Sequence, residues 1–143
     1  MDERHRRLLA LHGAITVFLG LVAGFPFALV ILGDLAGEAR AWHLAHMEGV
    51  TNGLMLWAVA GLGGLLRLGP GAARILVWAL IFTAYGNVVA STLGALAGVR
   101  GLAPGGGLAN TVAYAIYMAA IVAVLGAVAL IARGAATRGD RRR

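Results

Sequence analysis

The chain has 143 residues, 60% of them hydrophobic and only 13% charged, and its net charge of +6 is carried by arginine with no lysine. That balance excludes an ordinary soluble globular domain. The arginines sit at the ends of apolar runs rather than along one helical face, which argues against a nucleic-acid partner. The absence of cysteine excludes disulfides and thiolate metal sites.

Four runs reach the ~20 residues that a bilayer-spanning helix needs: about 8–32, 44–66, 75–99 and 108–132. The expected fold is therefore all-α, an integral membrane four-helix bundle forming a single domain over 1–143. The first run follows Arg4, Arg6 and Arg7 as a secretory signal would. Its apolar part exceeds the ~7–15 residues of a signal core, so it is expected to stay as an anchor. Gly20 and Gly24 in this run, Gly49 and Gly53 in the second and Gly94 and Gly98 in the third are spaced one turn apart. Small residues at that spacing let helices approach closely in lipid, within one bundle or between protomers. Pro26 is expected to bend the first helix.

The connections 33–43, 67–74 and 100–107 are short, so sequential helices should be antiparallel neighbours. Pro70 and Pro104, with flanking glycines, punctuate the second and third turns. Ten of the twelve arginines fall on one side: Arg4, Arg6, Arg7, Arg67, Arg74, Arg133, Arg138, Arg141, Arg142 and Arg143. Arg40 and Arg100 stand alone on the other. The positive-inside rule then puts both termini in the cytoplasm, as expected of a multi-pass protein of a bacterial-type inner membrane.

Polar groups are concentrated in the second run, WHLAHMEGVTNGLMLW (Trp42–Trp57). Ionisable groups inside a membrane segment are costly and mark functional sites by default. With a rise of ~1.5 Å per residue, Asn52, Asn87 and Tyr117 share a layer roughly 18–22 Å from the cytoplasmic end. His46, Glu48, Ser91, Thr92, Thr111 and Tyr114 lie beyond it, while the inner half has almost nothing polar except His12 and Thr83. Such a layer suits a buried small-molecule site. Around the second helix, Glu48 and Asn52 share one face, whereas His46 lies with Gly49 and Gly53 about 120° away. A site using both faces would sit between two protomers. Each residue also has a plainer use: His46 bonded to a carbonyl, His43 at the surface, Trp42 in the aromatic belt, His12 and the tyrosines in packing, and Asn52 and Asn87 joining helices.

The motifs AHMEGVTNG (Ala45–Gly53), AYGNVVASTLGALAG (Ala84–Gly98) and GLAP (Gly101–Pro104) resemble those of the hydroxylaminobenzene mutases, small integral membrane enzymes. The same frame is similar to the styrene oxide isomerases, which share a His-Gly pair (His12, Gly13), an AH-to-NG segment and an Asn-Val pair (Asn87, Val88). The resemblance implies a homotrimer with ferric heme b at protomer interfaces, His46 as axial ligand and Asn52 in the distal pocket. At the position of the tyrosine that helps place an epoxide stands Ser91, and an acidic residue is replaced by Thr83. Glu48 and a small hydroxyl at Ser91 bring the chain nearer to the mutases.

The expected activity is that of a membrane isomerase rearranging a small apolar aromatic substrate without net redox change. His46 would hold the heme iron, Asn52 would orient the substrate, Ser91 would bond the migrating oxygen and Glu48 would shuttle a proton. Asn87 and Tyr85, from the third-helix motif, complete the candidate set. An epoxide isomerase, a non-catalytic heme- or ligand-binding protein and a structural or transport subunit are the rival expectations.

Overall fold

The computed structural model describes residues 1–137 as four helices: α1 (Glu3–Leu32), α2 (Ala39–Leu62), α3 (Pro70–Ala97) and α4 (Leu108–Ala136). Arg138, Arg141, Arg142 and Arg143, used in the topology count, lie outside the described residues. Among the described residues there are no strands, so the all-α expectation holds. By length and composition α1, α3 and α4 can each cross a membrane. At 24 residues α2 is long enough but less apolar, because His43, His46, Glu48 and Asn52 all fall within it.

All four helices begin or end beyond the apolar runs, since a helix continues past the hydrocarbon wherever its ends can be capped. The basic N-terminal segment is itself helical, started by Asp2, whose side chain accepts from the His5 backbone N–H at 2.8 Å. That bond holds the Asp2 carboxyl below its usual range. The terminal ammonium of Met1 donates to the Gly63 and Leu66 carbonyls, and Arg6 Nε donates to the Ala60 carbonyl at 3.0 Å. Positive groups thus close the C-terminal end of α2, where carbonyls lack partners and the helix dipole is negative. Pro70 occupies the first turn of α3, where its missing N–H costs nothing. α1 runs through Pro26 without a break.

Sequential helices pack together and α1 also touches α3, but α4 packs closely on α3 alone among the four. The arrangement is an open row rather than a closed ring. Leu9, Leu56, Leu76, Val77, Leu80 and Ala84 form a fully buried core in the half nearer the start of α1 and the end of α4. Thr83 stitches α3 to α4 there, its hydroxyl lying 2.9 Å from the Ala79 carbonyl and 3.2 Å from that of Ala120.

Glycine makes the α1–α2 contact possible. A Cβ on Gly20 would lie 2.6 Å from the Val50 backbone N, and one on Gly53 would lie 2.7 Å from the Gly13 carbonyl oxygen. A Cβ on Gly49 would collide with the Gly20 Cα. These small residues therefore serve packing within one chain. Gly98 differs from its expected role: at φ 63° it is the left-handed cap that ends α3, not part of a packing stripe.

Candidate active site

The angular split expected around α2 is present in the structure. On the α1 side, His46 Nδ1 lies 2.8 Å from the Gly20 carbonyl oxygen. A carbonyl can only accept, so Nδ1 carries the hydrogen and, in the neutral ring, Nε2 carries the lone pair. Gly24 keeps space for the ring, since a Cβ there would come within 3.1 Å of Nδ1. Nε2 has no hydrogen-bond partner among the described residues.

On the opposite side, Glu48 and Asn52 act as a unit. Asn52 Nδ2 donates both to the Glu48 backbone oxygen at 2.8 Å and to Glu48 Oε2 at 2.7 Å. Two acceptors on one side fix the amide orientation, leaving Asn52 Oδ1 toward α3. There Asn87 Nδ2 donates to it at 3.4 Å, a long contact beside the other two. Asn52 is 7% exposed. The expected shared depth of Asn52 and Asn87 is thus realised as a contact, and its donors point in sequence toward the Glu48 carboxylate.

Ser91 lies one turn beyond Asn87 on α3 and is buried. Its hydroxyl is 2.7 Å from the Asn87 carbonyl and 3.1 Å from that of Val88. The single hydroxyl hydrogen goes to its own helix, so Ser91 offers lone pairs to anything in front of it. In front of it is a cleft of about 330 Å³. The cleft opens because α4 does not close against α2, and the small residues Ser91, Gly94 and Ala95 of α3 form its floor. Tyr117 of α4 lines it together with Ser91. Leu44 and Met47 of α2 make the apolar wall.

Tyr85 stands apart from this group. Two residues before Asn87, it faces the other way, and its hydroxyl lies 2.9 Å from His12 Nδ1 with the rings edge to face. His12 is thus a helix-packing partner in the half nearer the start of α1 and the end of α4. His43 is exposed, its ring centroid 5.1 Å from that of Phe27. Trp42 is buried with Ala23, Ala45 and Ala95 rather than forming an outer belt.

A family model described as styrene oxide isomerase matches residues 5–136, nearly the whole chain. The chain belongs to the styrene oxide isomerase family. It is also 32% identical over 96 residues to the hydroxylaminobenzene mutase HabB of Ectopseudomonas oleovorans, an alignment covering 67% of this chain and 54% of that protein. The chain therefore spans about half the length of the curated relative it matches. Membership assigns it to the isomerases, and with three helices apolar enough to cross a bilayer it is a membrane protein of that family.

The residues of this styrene oxide isomerase family member suit a heme on one point of chemistry. Among the described residues no three His, Asp or Glu side chains converge as a chelating set. A heme would supply most of its iron's ligands itself and would need one side-chain nitrogen from the protein. His46 has the form of such a ligand, with Nδ1 anchored on a backbone carbonyl and Nε2 turned away from it.

Residues of this site that sequence reasoning did not single out are Leu44, Met47, Arg40 and Arg100, all lining the cleft, and Asn110, which orders the loop above it. The two arginines did carry a signal, as the exceptions to the arginine asymmetry. No spacing rule points to the others.

Proposed function

We propose that the protein catalyses the redox-neutral rearrangement of an arylhydroxylamine to an aminophenol in the cytoplasmic membrane, as a homotrimer with both termini cytoplasmic. The observation that carries this reading is the division of α2 into two half-sites: His46 turned to one face, Glu48 and Asn52 to the other, beside a cleft walled in part by Leu44 and Met47. Two copies of the chain would bring opposite faces of α2 to one site, which is the reason for favouring an oligomer. His46 of one copy would then serve the cleft of another.

In the reaction the N–O bond breaks, a C–O bond forms at a ring carbon, that carbon loses its hydrogen as a proton and the nitrogen gains one. Atoms and electrons balance without an oxidant or reductant. Ferric heme b, held by His46, would supply Lewis acidity toward the substrate oxygen. Ser91 accepts a hydrogen bond from the hydroxylamino group through its free lone pairs, and Tyr117 donates one. Glu48 takes the ring proton and returns a proton to nitrogen. Asn52, with both donor contacts directed at Glu48, is the positioning residue that holds this carboxylate, and Asn87 holds Asn52. The apolar walls of Leu44 and Met47 would disfavour water beside the cationic intermediate, so that oxygen returns to the ring it left. An apolar substrate reaches the cleft from the lipid.

Rearrangement of an epoxide to an aldehyde is the second reading. The family match over 5–136 favours it, and Ser91 at the position of the family's tyrosine weighs against it. The test is an absorption spectrum of detergent-purified protein, wild type and His46→Ala, followed by assays on hydroxylaminobenzene and styrene oxide. A Soret band in the wild type that His46→Ala abolishes is expected, with turnover of the hydroxylamine. A wild-type protein without a Soret band after hemin supplementation would sink the heme assignment, and turnover of the epoxide alone would favour the second reading.

A further inference from the structure

The end of the cleft beside the start of α2 and the end of α3 has an electrostatic character that the rearrangement of a neutral arylhydroxylamine does not use. Arg40, in the first turn of α2, and Arg100, just past the end of α3, both line it, with Glu38 as the one carboxylate there. The three ion pairs among the described residues all lie in the first turns of α1, so neither arginine is paired within 4 Å. These are also the two arginines that defy the chain's own charge asymmetry, and both converge on the same cleft.

The rim around Arg100 is held in place. Gly101 N–H donates to Asn110 Oδ1 at 2.9 Å, and Asn110 Nδ2 donates to the Ala103 and Gly105 carbonyls, each at 2.7 Å. Gly101 sits so close to α4 that a Cβ would lie 2.8 Å from that of Ala113. The loop is thereby pinned to the first turn of α4, with Arg100 and Leu102 against the cleft. α3 ends at Ala97, and the Val99 N–H turns back to the Gly94 carbonyl at 3.0 Å, so Arg100 stays at the Gly94 and Ala95 end of the cleft while Ser91 lies about one turn further back along α3. A cleft of about 330 Å³ has room for a single benzene ring between the two ends.

We propose that the cleft between α2 and α4 binds aromatic carboxylates, the ring against Leu44 and Met47, the carboxylate at Arg40 and Arg100, and the opposite substituent at Ser91 and Tyr117. A guanidinium pairs with a carboxylate through two parallel N–H donors, which fixes orientation as well as charge. Resting on the arylhydroxylamine reading, this makes the preferred substrates hydroxylaminobenzoates with the acid group opposite the hydroxylamino nitrogen. For 4-hydroxylaminobenzoate the para position is blocked, so oxygen moves to the adjacent ring carbon, giving the isomeric 4-amino-3-hydroxybenzoate.

The full chain in detergent tests this in two arms. In the first, benzoate and its neutral isostere benzamide are titrated into wild type, Arg40→Gln, Arg100→Gln and the double variant. Benzoate is expected to bind at least tenfold tighter than benzamide, with each single substitution eroding that preference and the double variant erasing it. In the second, the ratio of kcat/KM for 4-hydroxylaminobenzoate over hydroxylaminobenzene is expected to exceed ten in the wild type and to collapse in the double variant. Equal binding of benzoate and benzamide, or a charge preference that survives both substitutions, would overturn the proposal. So would a double variant that loses co-purified anionic phospholipid while wild-type protein ignores benzoate, since the cleft would then be a lipid site. Arginine-dependent benzoate binding without turnover of either hydroxylamine would support the cleft assignment and defeat the rearrangement reading.

Discussion

The two sides of α2 solve opposite problems with similar residues. Toward α1, Gly49 and Gly53 meet Gly20 and Gly13 so closely that no Cβ fits, and His46 is locked onto a backbone carbonyl. Toward α4, small residues again occur, but on α3, and the neighbouring helix stays away, leaving about 330 Å³ lined by Ser91, Tyr117 and apolar side chains. Small side chains thus bring helices together only where the partner surface is also small and unobstructed. Where the next helix is held back by its other contacts, they leave a cavity. The rigid side holds the His46 ring in place, and the open side leaves a cleft.

The comparison breaks most severely if the rigid side is overfilled. Gly20→Val places side-chain carbons on the Val50 backbone, which cannot yield as a flexible side chain would. Overpacking of this kind costs about 3 kcal/mol, and the expected outcome is loss of monodisperse protein by size-exclusion chromatography with a lowered Tm. A variant with wild-type Tm would show that α1 and α2 are not held by this contact.

On the face that looks toward α3, Glu48→Gln keeps an acceptor for Asn52 but removes the proposed proton carrier. Its kcat is expected to fall by about 10²-fold or more, the scale of general acid–base catalysis, with Tm almost unchanged. Unaltered kcat would remove Glu48 from the chemistry. The smallest effect is expected on the open side, where Met47→Trp fills the cleft from a residue that is already 37% exposed. KM should rise roughly tenfold, as steric exclusion from a pocket does, while folding is kept. An unchanged KM would place the substrate elsewhere.

Much of the fold can be read from residue order, and the exceptions have physical causes. Four apolar runs separated by Gly-Pro turns predict four neighbouring helices. The helix ends are harder to read, because Asp2 and Pro70 cap helices that continue beyond the apolar stretch. Gly98 resembles a packing glycine until its left-handed φ shows it to be a cap. The pairing of Glu48 with Asn52 follows from their four-residue spacing, and a shared depth in the bilayer anticipates Asn87. Tyr85 is the counterexample: its motif places it beside Asn87, but two residues on a helix are about 200° apart, and its hydroxyl goes to His12. The cleft is the least legible feature, since it depends on α4 failing to reach α2, a tertiary fact that no local pattern encodes.

The most direct test of the central claim is rearrangement of hydroxylaminobenzene in water enriched in ¹⁸O, with the aminophenol product analysed by mass. An aminophenol free of label is expected, because the proposed rearrangement returns the substrate's own oxygen to the ring. Label in the hydroxyl group would mean that water supplies the oxygen, and an intramolecular isomerase would no longer describe this protein.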